Sequence, residues 1–141
     1  MIDFEKAFAF TANEEGLVSN LKGDPGGKTC MGIASAYHPK EYAEIMEIPE
    51  NQRPAYAKEF YRKEFWVGLG CDKMPWPLSA CYFDTAVNCG PSRAARFAGA
   101  AKDYIGFLCQ RARWQIYESK SAYTASLLNR QLRLFELSKS A

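Results

Sequence analysis

Glu15 stands where an opening helical pattern gives way to glycine-rich chain. Asp24 follows nine residues later and Thr29 five beyond that, with Gly26 and Gly27 between them. A helix end feeding a glycine-rich hairpin can bring a Glu and a distant Asp across one cleft. Cleaving a glycosidic bond uses a pair of carboxyl groups in that relation. One is protonated and delivers a proton to the leaving oxygen. The other is ionised and orients water or stabilises charge on the sugar. Spacing alone also fits a plainer reading. Glu14 and Glu15 would be solvated helix residues and Asp24-Pro25-Gly26-Gly27 a turn.

The elements that must position these groups follow from periodicity. Asp3 reads as an N-cap, and Phe4, Ala7, Phe8 and Ala12 mark a helical stripe that stops at Gly16. Residues 17–35 read as an irregular loop with a small hairpin. A short helix is expected over 39–47. Another starts near Pro54, carries Tyr56, Phe60 and Tyr61, and runs toward Phe65 and Trp66. After a loop over 67–77, Leu78, Cys81, Tyr82, Thr85 and Ala86 repeat at helical spacing up to Cys89-Gly90. Pro91 restarts a helix through Ala101. A longer helix runs from about Asp103, and a last one carries Leu128, Leu132 and Phe135. The expected fold is α+β and mostly helical, a helical bundle beside a glycine-rich β-hairpin lobe. It forms one domain over 1–141.

Composition narrows the function. The 141 residues are 48% apolar and 14% aromatic, which is the make-up of a folded chain. A net charge of +2 gives no field strong enough to hold nucleic acid. No apolar run is long enough to span a membrane, and the acidic N-terminus does not read as a signal peptide. Five cysteines without a C-x-x-C pair read as reduced and mostly buried. The single histidine, His38, reads as a turn residue, and one histidine is too few for a zinc hydrolase. No metal and no cofactor are expected.

Other residues carry two readings each. Asp84 and Asn88 share a helical face and would either bond sugar groups or satisfy backbone at a helix end. Trp66, Trp76 and Trp114 are sugar platforms or, more commonly for tryptophan, core side chains. Arg93, Arg96, Arg111, Arg113, Arg130 and Arg133 read as a solvated basic face, with attraction to an anionic wall as the sharper alternative.

The run E-G-L-V-S-N-L-K-G-D-P-G-G-K-T-C-M-G-I, Glu15 to Ile33, resembles the signature of the bacterial and phage N-acetylmuramidases of glycoside hydrolase family 108. Glu15, Gly16, Asn20, Asp24, Pro25, Gly26, Gly27, Thr29, Gly32 and Ile33 match in register. Tyr61, Trp66 and F-D-T-A-V-N-C-G (Phe83 to Gly90), then Ala94 and Ala95, resemble a second block. Arg113 to Tyr117 and Leu128-Asn129-Arg130 form a weaker third. Leu17 departs from the family's second glycine, and Leu21-Lys22 from its Asp-Pro. Members also carry about 25–30 more residues before the final helices, a wall-binding segment of a size that loops tolerate. The chain is thus expected to be a minimal catalytic form.

The resemblance implies a lysozyme-like fold and hydrolysis of the β-1,4 bond after N-acetylmuramic acid in peptidoglycan. It implies Glu15 as the catalytic acid, and Asp24 and Thr29 as positioning the water, with inversion at the anomeric carbon. Asn20, Asp84, Asn88 and Trp66 are the candidate substrate-binding residues. An acid at Glu15 is expected to lie beside apolar groups, with Met31, Ile33 and Phe83 as candidates. The expected partner is the peptidoglycan glycan strand, met by a monomer made in the cytoplasm without a signal peptide. It would reach the wall through a holin, other secretion machinery or lysis. A lytic transglycosylase and a non-catalytic wall-binding or assembly module of the same fold are the alternatives.

Overall fold

In the computed structural model, residues 2–23, 28–119 and 121–140 are described. Helix α1 (Ile2–Glu15) buries Phe4, Ala7 and Thr11 and ends at Gly16, whose φ of 65° only glycine adopts without cost. A 3-10 turn (Leu17–Asn20) leads to strands β1 (Thr29–Cys30) and β2 (Ile33–Ala34). These pair antiparallel, Thr29 opposite Ala34 and Cys30 opposite Ile33. Helix α2 (Pro39–Glu47) follows, then α3 (Arg53–Tyr61), which runs on as a π-helical turn over Arg62–Val67. Helices α4 (Leu78–Cys89), α5 (Pro91–Gly99), α6 (Tyr104–Arg113) and α7 (Thr124–Ser138) complete the chain. A second π turn, Trp114–Glu118, extends α6. The arrangement is α+β and mostly helical, a lysozyme-like bundle with a two-stranded hairpin.

Helix α4 is the axis. Every residue from Ser79 to Ala86 is buried, as expected of a helix packed on all sides. It packs against α1, α5, α6 and α7. Aromatic rings fill the join between bundle and lobe: Phe4 meets Phe8, Trp66 and Phe83, and Tyr61 meets Phe8, Phe60 and Phe65. All five cysteines are free, four of them buried. No helix among the described residues is long and apolar enough to cross a membrane.

The hairpin is tied down at its tip. Met31 and Gly32 both take positive φ, 48° and 78°, the turn that suits two strands of natural twist. The Tyr61 hydroxyl donates to the Met31 carbonyl (3.3 Å) and so braces the left-handed methionine. A Cβ on Gly32 would stand 2.2 Å from that hydroxyl and 2.9 Å from a Leu17 methyl. Gly32→Ala is therefore expected to cost about 1–3 kcal/mol through overpacking, read as a lower midpoint in urea with an unchanged slope.

Candidate active site

Two neighbouring glutamates end α1, and two arginines of α7 hold them. Arg133 forks onto Glu14 through Nε (2.6 Å) and Nη2 (2.7 Å). Arg130 donates from Nη1 to Glu15 Oε1 at 2.7 Å. The arginines lie three apart, hence on one face of α7. The Arg130 side chain is only 7% exposed and that of Glu15 is 30% exposed. Solvent thus reaches the carboxylate more readily than its partner.

Behind this pair lies a buried charge network. Asp84, fully buried on α4, accepts from Arg130 Nη2 (2.7 Å) and Nε (3.3 Å), from Arg111 Nη1 (2.8 Å) and from Thr11 Oγ1 (2.9 Å). Arg111, also fully buried, adds the Thr85 hydroxyl (3.0 Å) and Asn88 Oδ1 (3.0 Å). Burial alone would push the Asp84 carboxyl up. The charges of Arg111 and Arg130 overrule it and hold it below the usual carboxylate range. Burial works against the Arg130 charge too, but Asp84 and then Glu15 raise it above the ordinary guanidinium. Tyr61 of α3 is raised by burial and, less, by the charge of Glu15, which places its phenol within electrostatic reach of the carboxylate.

The hairpin side is organised by Asn20. Its carbonyl accepts from the amides of Gly23 (3.2 Å) and Met31 (3.3 Å), and its side-chain amide donates to Thr29 Oγ1 (3.3 Å). Buried Arg53 pins the preceding backbone, donating to the carbonyls of Leu21 (3.1 Å) and Lys22 (2.9 Å). Asp24 lies outside the described residues, between this pinned segment and Thr29. A cavity of ≈ 560 Å³ opens along the hairpin, bounded by Gly32, Ala34, Tyr37, Phe65, Val87 and Glu64 among others. Glu15 is not in its wall. Gly32 links the two, because it abuts Tyr61.

Several placements revise the sequence reading. Glu15 has Arg130 as its polar partner, a neighbour that the apolar groups expected beside it did not include. Met31, Ile33 and Phe83 are core side chains. Asp84 spends both oxygens on protein donors, and Arg130 is what it shares with Glu15. Asn88 accepts from the Arg111 side chain in place of the backbone groups expected of it, and Trp66 is 6% exposed between Phe4 and Phe83 as a core side chain. Trp76 donates to the Ser140 carbonyl (3.0 Å), and Trp114 stacks under Arg93. The basic face is only partly a surface. Arg111 and Arg130 are interior, and Arg96 pairs with Glu118. Tyr37 and Phe65, which sequence reasoning did not select, supply aromatic surface at the cavity. Nothing local marks them, since their place depends on the π turn and the hairpin meeting.

The helix-end carboxylate of Glu15, held by Arg130, and the hairpin Thr29, held by Asn20, both lie on a stretch of chain that matches a glycosidase family. The family model Glycosyl hydrolase 108 matches residues 8–90, more than half of the chain, which takes in Glu15, the hairpin and α4. The chain belongs to that family and is a glycosyl hydrolase acting on peptidoglycan. Comparison with curated proteins and with solved structures finds no match.

Proposed function

We propose that this protein is a muramidase that hydrolyses the β-1,4 bond between N-acetylmuramic acid and N-acetylglucosamine, with Glu15 as general acid. The observation that carries the reading is the placement of Glu15. It is partly accessible, anchored by one oxygen on Arg130, at the same end of α1 as the Asn20–Thr29 pair. In the reaction, the Glu15 proton passes to the bridging oxygen as the bond to the muramic anomeric carbon breaks. Water adds to that carbon from the opposite face and gives its proton to the Asp24 carboxylate, with Thr29 Oγ1 orienting it. The product is inverted. Tyr37 and Phe65 offer faces for sugar rings, and Asn20 serves by holding Thr29.

In its setting this is a bacteriolytic, endolysin-like enzyme of phage or prophage type, acting as a monomer on the wall. A holin or secretion machinery gives it passage. Digestion of purified sacculi followed by mass spectrometry tests the chemistry. New reducing N-acetylmuramic ends are expected, each heavier by one water than the anhydro end that the same cut would leave by transglycosylation. Anhydro-muramic ends make the protein a lytic transglycosylase. Pelleting with sacculi and no product at all makes it a binding module.

A further inference from the structure

We propose that Arg130 is a positioning residue that decides which oxygen of Glu15 carries the catalytic proton. The inference rests on Glu15 being the acid and goes beyond it. The Arg130 fork is spent on Asp84, through Nε to one oxygen and Nη2 to the other. Asp84 cannot turn, because Arg111 and Thr11 hold it and it is fully buried. The remaining amine, Nη1, therefore points at Glu15 Oε1 from a fixed base, at 2.7 Å.

A guanidinium has five donors and no acceptor. In a neutral carboxyl the carbonyl oxygen is the better acceptor, and Nη1 asks for that acceptor at Oε1. Oε1 must stay an acceptor, so the neutral acid carries its hydrogen on Oε2. Oε2 has no hydrogen-bond partner among the described residues, and it is the oxygen the proposal assigns to the glycosidic oxygen. Arg130 thus fixes the carboxyl plane and assigns the donor oxygen while never touching substrate. Its helix, α7, lies beyond residues 8–90 of the family match, and Arg130 reaches Glu15 across 115 residues of chain.

Arg130→Lys tests this. A lysine still pairs with Asp84, but one ammonium cannot bond both Asp84 oxygens and Glu15 as the fork does. The variant is expected to fold, to keep KM on soluble glycan within about threefold and to lose about 30- to 100-fold in kcat, the scale of a misplaced catalytic group. Arg130→Ala is expected to regain at least about tenfold in kcat with millimolar guanidinium, a donor-only fork. Wild-type kcat in Arg130→Lys, or a defect confined to KM, overturns the inference. If Arg130→Lys does not fold, the guanidinium experiment decides, and failure of rescue overturns it. Glu15→Gln in parallel separates the two levels. Inert Glu15→Gln beside fully active Arg130→Lys removes the role of Arg130 and leaves the acid in place. Active Glu15→Gln removes the acid itself.

Discussion

Glu15→Gln is expected to remain folded and to lose about 10²–10⁴-fold in kcat on peptidoglycan, the usual worth of a positioned proton donor. The amide keeps a carbonyl oxygen for Arg130 Nη1, so the clasp between α1 and α7 persists, with Glu14–Arg133 beside it. What goes is the transferable proton. Binding groups on the hairpin and the cavity are untouched, so KM stays near wild type and kcat and kcat/KM fall together. That pattern identifies an interaction made only in the transition state. A comparable rise in KM would instead place Glu15 among the binding groups.

The second large effect is on stability. Asp84→Asn leaves Arg111 and Arg130 facing each other in the interior without their shared counter-charge. Removing one partner from a buried ion network costs about 3–5 kcal/mol, and for a chain of this length that lowers Tm by roughly 10 °C. Acid dependence follows from the direction of the Asp84 shift. Its carboxyl is held low in the folded protein, so the stability it supplies is present above the unfolded-state value, about pH 4. That stability is lost as pH falls through the lower folded value. Wild type should therefore lose Tm steeply below about pH 4, and Asp84→Asn should start lower and show a flatter acid limb. A variant within 2 °C of wild type by the same scan, on the order of one ordinary surface substitution, would mean that Asp84 is not the keystone of this network.

Most of the helical frame was legible in the sequence because it is written locally. The stripe from Phe4 to Ala12, the Leu78–Ala86 repeat, and the glycine and proline stops at Gly16, Gly90 and Pro91 all act within one or two turns of chain. The hairpin showed as a glycine-rich interruption, and Met31–Gly32 is its turn. The π turns after α3 and α6 were not legible. An i→i+5 turn is set by what the helix packs against, and Arg62–Val67 shares its composition with ordinary helix.

The interior arginines escaped for a related reason. Arg111 and Arg130 find Asp84 across 27 and 46 residues of sequence. By composition they are indistinguishable from Arg96 and Arg113, which are exposed. The candidate site was half visible. Glu15, Asn20 and Thr29 came from one short motif, and two of them do meet, Asn20 on Thr29. The partner that steadies Glu15 lies 115 residues away.

The central claim, that Glu15 protonates the departing oxygen, is tested most directly by changing the leaving group. A disaccharide glycoside of dinitrophenol departs without help from an acid, whereas a sugar alkoxide does not. On peptidoglycan the Glu15→Gln defect should be at least about 10²-fold. On the dinitrophenyl glycoside it should shrink to within about tenfold of wild type. An equal loss on both substrates would show that Glu15 serves some other step, and the proton donor would have to be sought elsewhere.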